Sequence, residues 1–192
     1  MRKGPLSDTT GTQTQATDLD PAKYHVQETL RDGGSIVIRA IRSDDKERLR
    51  EHSRGLSAES VYHRFMVYKR ELSEEDLRKF TELDFRQHVG LAAIVSEDGR
   101  EHFVGVGRYV RTSDLRAEVA LSVIDKHQGR GIGPLLFAHL GRVARQQGIA
   151  KFEADVMGDN AHMLDMIAAS GFKVQTKHDG GLVHLLVRIS GS

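Results

Sequence analysis

A chain of 192 residues that is 39% hydrophobic and 29% charged has the size and composition of one globular domain. Its net charge of +1 gives no electrostatic case for a nucleic-acid or membrane-surface partner, and the lack of cysteine rules out disulfides, thiolate metal sites and a cysteine nucleophile. No apolar run reaches the roughly 18 residues that cross a bilayer, and no apolar segment follows the basic Met1-Arg2-Lys3, so a cytoplasmic protein is expected.

Residues 1–22 are polar and nearly free of apolar side chains, which predicts a disordered tail ahead of a single domain over 23–192. Ser35-Ile36-Val37-Ile38-Arg39 reads as a strand after the turn signal Asp32-Gly33-Gly34. Asp44 to Leu56 and Ser57 to Phe65 read as helices. Ser73, followed by Glu74-Glu75-Asp76, is an N-cap with an acidic first turn and opens a third helix to Thr81. The period then changes. Val89 to Val95, His102 to Val110 and Leu115 to Val123 read as strands, the first two joined by the Asp98-Gly99 turn. Leu135, Leu136, Leu140, Val143 and Ala144 share one face of a helix that Gly148 stops. Phe152 to Val156 is a strand, Asn160 to Ser170 a helix ended by Gly171, and Phe172 to Thr176 and Leu182 to Ile189 a strand pair across Asp179-Gly180-Gly181. This order predicts a mixed α/β (α+β) domain with a largely antiparallel central sheet flanked by helices.

The densest functional signal is Gln128-Gly129-Arg130-Gly131-Ile132-Gly133-Pro134, between a strand and a helix. Glycines let a ligand approach the backbone, and the helix N-terminus presents unpaired N–H groups and a positive dipole end, which suits phosphate. A Walker loop needs Lys after its last glycine and a dinucleotide fingerprint needs a further glycine; Pro134 defeats both. Phosphate binding and a plain glycine turn both remain open on these residues alone.

The longer run Leu121-Ser122-Val123-Ile124-Asp125-Lys126-His127-Gln128-Gly129-Arg130-Gly131-Ile132-Gly133 resembles the acetyl-CoA-binding segment of the GNAT superfamily of N-acetyltransferases. Asn160, with Gly171-Phe172 eleven residues on, resembles that superfamily's next block, so the likeness spans about residues 35–189. The resemblance implies acetyl-CoA as cosubstrate and no metal. It implies that backbone groups of Leu121, Ser122 and Val123 pair with the pantetheine arm, and that Gln128, Gly129, Arg130, Gly131, Ile132, Gly133 and Pro134 cradle the pyrophosphate. It further gives Asn160 a hydrogen bond to the pantetheine or phosphate end, beside its role as a helix N-cap. Arg130 as a solvated surface side chain, and His127 as a surface residue rather than a phosphate contact, are the plainer readings. No His-x3-His pair suggests zinc.

Acetyl transfer to an amine needs the neutral amine, which for a free lysine at pH 7 costs about 4.6 kcal/mol. A general base must offset much of that, and a preorganised donor must receive the oxyanion. Val123 N–H is the expected donor. Glu118 is the expected base: it shares a strand face with Ala120 and Ser122, and its small apolar neighbours are expected to desolvate it in part. An edge carboxylate paired with Arg116 or Arg108 is the alternative, and Glu153 and Asp155 are weaker candidates. Many GNAT enzymes carry a tyrosine seven residues after the asparagine to protonate the thiolate; here that position is Ile167, with Tyr109 the nearest alternative acid along the sequence.

Ser60-Val61-Tyr62-His63-Arg64-Phe65, Glu71-Leu72-Ser73-Glu74-Glu75-Asp76-Leu77 and Ala117-Glu118-Val119-Ala120 look like the acetyltransferase domain of bacterial Pat-type protein lysine acetyltransferases. That narrower resemblance implies a protein lysine as acceptor, on a partner such as an acyl-CoA synthetase, and makes the residue at Glu118 the base. A small-molecule amine N-acetyltransferase and a non-catalytic acyl-CoA sensor are the competing readings. A nucleic-acid binder finds no basic-aromatic pattern to support it.

Overall fold

The computed structural model describes residues 20–65 and 71–190. The expected tail therefore lies outside the described residues up to position 19. Asp20 caps a single 3-10 turn over Pro21–Lys23, so residues 20–22 belong to the ordered part.

The first element, β1 (His25–Thr29), was not among the expected strands. Val26 is its single aliphatic residue, so it carries no apolar alternation of its own. It is held by antiparallel pairing with β2 (Ser35–Ala40) from His25 opposite Arg39 to Thr29 opposite Ser35. Three helices follow: α1 (Lys46–Arg54), α2 (Ala58–Phe65) and α3 (Glu74–Thr81). The predicted cap of α3 is present, with Ser73 and Asp76 satisfying each other's backbone N–H groups.

A meander of β3 (His88–Glu97), β4 (Arg100–Ser113) and β5 (Arg116–Val123) then builds the middle of the sheet. Asp98 and Gly99, both at positive φ (51° and 76°), make the tight β3–β4 turn expected from the sequence. From β5 the chain crosses through α4 (Ile132–Gln146) to β6 (Lys151–Met157), which runs parallel to β5; a parallel pair needs such a crossover. After α5 (Ala161–Ala168), β7 (Lys173–Asp179) and β8 (Leu182–Arg188) form the last hairpin. Among the described residues eight strands lie in the order β1-β2-β3-β4-β5-β6-β8-β7, and β5–β6 is their one parallel pair. The expected mixed, largely antiparallel sheet is what the chain forms.

Helix α4 begins at Ile132, earlier than the apolar repeat suggested, because Gly131 at φ +89° serves as its N-cap and Pro134 needs no N–H in the first turn. It buries Leu136, Phe137 and Leu140 against the sheet face that carries Tyr109, Leu121 and Phe152. A Cβ at Gly107 would lie 2.8 Å from Leu140 Cδ1, so this glycine is what lets α4 sit close on β4. The opposite face carries a smaller core of Leu49 and Leu77, from α1 and α3, with Ala92, Ile94, Phe103 and Val106.

Beside that smaller core lies a buried ion pair. Arg39 donates to both oxygens of Asp45 (2.7 and 2.8 Å), at 3% and 0% side-chain exposure. Asp45 also accepts from the Arg42 N–H and from Arg48. Burial by itself would raise the Asp45 pKa, but the Arg39 hydrogen bonds and charge and the Arg42 N–H hold it below the usual value. No helix among the described residues is long and apolar enough to cross a membrane.

Candidate functional site

The β5–β6 ladder sets the site. It pairs Arg116 with Lys151, Ala117 with Phe152 and Glu118 with Glu153, and then stops. Beyond Glu118 the strands diverge into a notch whose walls are Ala120 and Leu121 of β5 and Ala154 and Val156 of β6. Its floor includes Phe137 and Ile167, and Asn160 and His63 stand at its rim.

The β4–β5 register decides which backbone groups face that notch. Gly105 lies opposite Val123, and Ile124 N–H donates to Val104 C=O at 2.9 Å. Gly105 and Val123 are therefore a non-hydrogen-bonded pair, so the N–H and C=O of Val123 point away from β4. Leu121, two residues back, points the same way. The Gln128 side-chain amide donates to Val123 C=O at 3.2 Å, leaving the Val123 N–H as the exposed donor of that peptide pair. The sheet thus offers an unpaired strand edge that an extended arm can extend by hydrogen bonding.

Ser122 points to the other face. His52 of α1 lies between Phe103 C=O (Nδ1, 3.1 Å) and Ser122 Oγ (Nε2, 2.9 Å). A carbonyl accepts only, so Nδ1 carries the proton and Nε2 accepts from the Ser122 hydroxyl. The helix α1 is fixed to β5 in this way, next to the residues that line the notch.

The glycine loop closes the open end. A 3-10 turn over Asp125–His127 precedes it, and Gly129 and Gly131 adopt φ of +75° and +89°, which only glycine takes without strain. Asp125 accepts from Ser57 N–H and from the Ser57 and Ser60 hydroxyls, which binds the loop to the start of α2. Ile132 and Gly133 present first-turn N–H groups with no intrahelical acceptor. Arg130 is not a free surface side chain: its Nε donates to Asp32 at 2.6 Å and its Nη1 to His127 Nδ1 at 2.9 Å. Asp32 is held below the usual carboxylate pKa by that Arg130 hydrogen bond and by the Gly34 N–H. His127, read from sequence as a surface residue, is buried. Arg31, which sequence reading missed, lies over the loop: a Cβ on Gly131 would meet its Nε at 3.4 Å. The β1–β2 turn and the loop are about 100 residues apart in the chain, so no local pattern could link them. Asn160 caps α5 by accepting the Met163 N–H at 3.1 Å, as its N-cap reading predicted.

Glu118 occupies the last paired position before the notch. Its carboxylate is exposed, and it makes no hydrogen bond or ion pair among the described residues. The expected partial desolvation is not present. Ala117 and Val119 are buried on the opposite face by strand alternation, so they do not surround the carboxylate. Arg116 pairs with Glu153 (2.8 Å) instead, and Asp155 is bonded to His184. Glu118 is thus the one carboxylate of the three without a partner.

Tyr109 is corrected as an acid. The alternation of β4 places it on the α4 side, fully buried against Phe152, with its hydroxyl donating to Gln147 Oε1 at 3.0 Å. Burial pushes its pKa far up. Tyr109→Phe is expected to leave the rate and its pH profile unchanged and to lower stability by about 1 kcal/mol, the net worth of one hydrogen bond; steady-state kinetics and urea melts read the two. Ile167 is buried in the notch floor and offers no proton. Two titratable side chains line the notch: Asp155 of β6, which is bonded to His184, and His63 on α2, whose Nε2 lies 3.2 Å from Asp159 Oδ1. No role for His63 is legible in the sequence, because α2 and the β6–α5 loop are joined only in three dimensions. Among the described residues no group of three or more His, Asp or Glu side chains is placed to hold a metal.

Comparison with known proteins agrees with this geometry. A sequence model of the acetyltransferase (GNAT) family matches residues 58–172. The chain is 33% identical over 156 residues to Acetyltransferase PA5475 of Pseudomonas aeruginosa, covering 81% of this chain and 84% of that protein. It is 30% identical over 156 residues to Acetyltransferase Pat of Mycolicibacterium smegmatis, covering 80% of this chain and 46% of that longer protein. The crystal structure of the GNAT domain of S. lividans PAT superimposes with a TM-score of 0.77 at 36% identity, covering 84% of this chain and 95% of that one. A notch between diverging strands, a glycine loop at a helix N-terminus and a match over most of the domain have one common explanation: the chain belongs to the acetyltransferase (GNAT) family.

Proposed function

We propose that the protein transfers the acetyl group of acetyl-CoA to a primary amine by direct attack on the thioester, and that the amine is a protein lysine. The observation that carries this reading is the end of the β5–β6 ladder. There Glu118, a carboxylate with no partner among the described residues, stands at one end of a strand edge whose Val123 N–H, five residues on, faces the notch.

In this reading the pantetheine arm adds to β5 along Leu121 to Val123, and the pyrophosphate meets the N–H groups of Ile132 and Gly133. The remaining loop residues, Gln128, Gly129, Arg130, Gly131 and Pro134, shape that cradle, and Asn160 flanks the arm. The amine reaches Glu118 from the open groove that Glu118 shares with Glu153 and Asp155. Glu118 takes the ammonium proton, the neutral nitrogen attacks the carbonyl carbon, and Val123 N–H receives the oxyanion. Collapse breaks the C–S bond, and the second proton of the attacking nitrogen passes through His63 or water to the thiolate. In that groove Arg116 occupies Glu153 and His184 occupies Asp155, which leaves the Glu118 carboxylate for a cationic acceptor such as a lysine on an acyl-CoA synthetase, and a cytoplasmic setting goes with that acceptor.

The test is thiol release from acetyl-CoA with a panel of an acyl-CoA synthetase protein, lysine peptides, polyamines and aminoglycosides. Release with the synthetase or the peptides is expected. Release only with a small amine would keep the reaction and discard the protein acceptor. No release with any acceptor, despite tight acetyl-CoA binding, would favour a sensor.

A further inference from the structure

Arg108 is a guanidinium that the fold largely withdraws from water with no anion in contact with it among the described residues. It lies opposite Ala120 in the β4–β5 ladder, on the sheet face that carries Glu118. Phe80 of α3 packs against it, with 3.9 Å between the guanidinium carbon and the ring centre. Among the described residues it makes no hydrogen bond and no ion pair. Other arginines of this fold are engaged: Arg39 with Asp45, Arg116 with Glu153, Arg130 with Asp32. Burial lowers the Arg108 pKa, and the charge of Glu118 pulls the other way without closing to an ion pair.

A second unpartnered group lies beside it. His88 is opposite Val110, so it stands on the same face as Arg108, and both line one largely apolar pocket under α1 and α3. His88 Nε2 is buried with no hydrogen-bond partner among the described residues. Burial and the Arg108 charge both depress its pKa, with Lys79 adding to the positive field and Asp84 opposing it. Asp84 does not serve Arg108, because one of its oxygens already accepts the N–H groups of Arg86, Gln87 and His88. Folded proteins tolerate a desolvated charge and an orphaned ring nitrogen side by side poorly unless something binds there.

We propose that Arg108, supported by His88, binds a carboxylate of the acceptor, so that the enzyme prefers an amine with a carboxylate one side chain away. This rests on the acetyl-transfer reading above. Arg108 and Glu118 are diagonal neighbours across two strands, their Cα atoms about 7–8 Å apart. They stay unpaired with each other and present a positive and a negative group on one sheet face. A lysine ammonium at Glu118 with a carboxylate at Arg108 is the complementary arrangement. The carboxylate is that of an acidic residue adjoining the lysine in a protein, or the α-carboxylate of a free amino acid; the chemistry is the same.

The experiment uses blocked peptides identical except for Asp or Asn beside the lysine, together with free lysine and its amide. With the wild-type protein, kcat/KM is expected to be at least tenfold higher for the Asp peptide, mostly through KM. In Arg108→Gln the preference is expected to vanish while acetyl-CoA affinity by calorimetry is unchanged; Arg108→Lys keeps part of it. A preference among the peptides locates the carboxylate on a protein acceptor, and one confined to free lysine over its amide locates it on an amino acid. Equal use within both pairs by the wild-type protein would overturn the proposal. So would an equal loss on all acceptors in Arg108→Gln with acetyl-CoA binding intact. If Arg108→Gln does not fold, the wild-type preference decides alone. Calorimetric titration of the same pairs onto the CoA-bound protein reads the preference without turnover, so failure of acetyl transfer would count against the reaction and not against this site.

Discussion

Glu118→Gln is expected to lower kcat/KM by about 10²–10³-fold at pH 7, the lower part of the range typical of a lost general base. That corresponds to about 2.7–4.1 kcal/mol of transition-state stabilisation. Acetyl-CoA affinity should not change, since Glu118 lies at the closed end of the notch and outside the glycine loop. Stability should shift by less than about 0.5 kcal/mol, because the side chain is exposed and makes no hydrogen bond or ion pair among the described residues. The variant's rate should climb with pH as the amine loses its proton to solvent, narrowing the gap to wild type. Rate–pH profiles of the two proteins with a lysine peptide, with calorimetry for acetyl-CoA, measure all of this. A fall of less than threefold at pH 7 would remove Glu118 as the base and turn attention to the groove's other carboxylates, Glu153 and Asp155.

The second large effect is on stability. Asp45→Ala leaves the Arg39 guanidinium, 3% exposed, with the half-exposed Glu101 at 3.3 Å as its remaining counter-charge. Breaking a buried pair from one side costs about 3–5 kcal/mol, or a fall of roughly 6–20 °C in Tm for a domain of this size. The folded-state pKa of Asp45 is lowered relative to the unfolded chain. Its contribution is therefore complete above about pH 3.9, the unfolded value, and is lost as pH falls through the lower folded value. The difference between wild type and Asp45→Ala should be flat from pH 6 to 8 and shrink in acid below pH 4. Urea unfolding at several pH values tests this. A constant difference down to pH 2 would mean that lost packing, not charge, carries the effect.

Much of the fold was written in short-range signals. Asp98-Gly99 makes the tight turn where the sequence placed it, Ser73 caps α3 with Asp76, and Gly131 opens α4. Strand β1 was invisible because an edge strand with Val26 as its single aliphatic residue has no periodicity to read; the hairpin with β2 makes it a strand. The choice of Glu118 followed from its position on β5, but its environment was misjudged. Alternation sends the small apolar neighbours to the other face, and only the end of the β5–β6 ladder explains why the carboxylate stands alone. Tyr109 was near in sequence yet on the wrong side of the sheet, a fact fixed by its packing on Phe152 and Gln147.

What the sequence determined by itself is the order of elements, the glycine loop with its helix, and the family likeness, because each depends on residues within one or two turns or strand pairs of each other. Only the tertiary structure decided that Arg31 and Asp32 dock on the loop, that His63 meets Asp159 at the notch rim, and that Arg108 and His88 stand unpartnered beside Glu118. These contacts join residues from about 10 to about 100 positions apart, set by sheet order and helix packing, and no local periodicity encodes them.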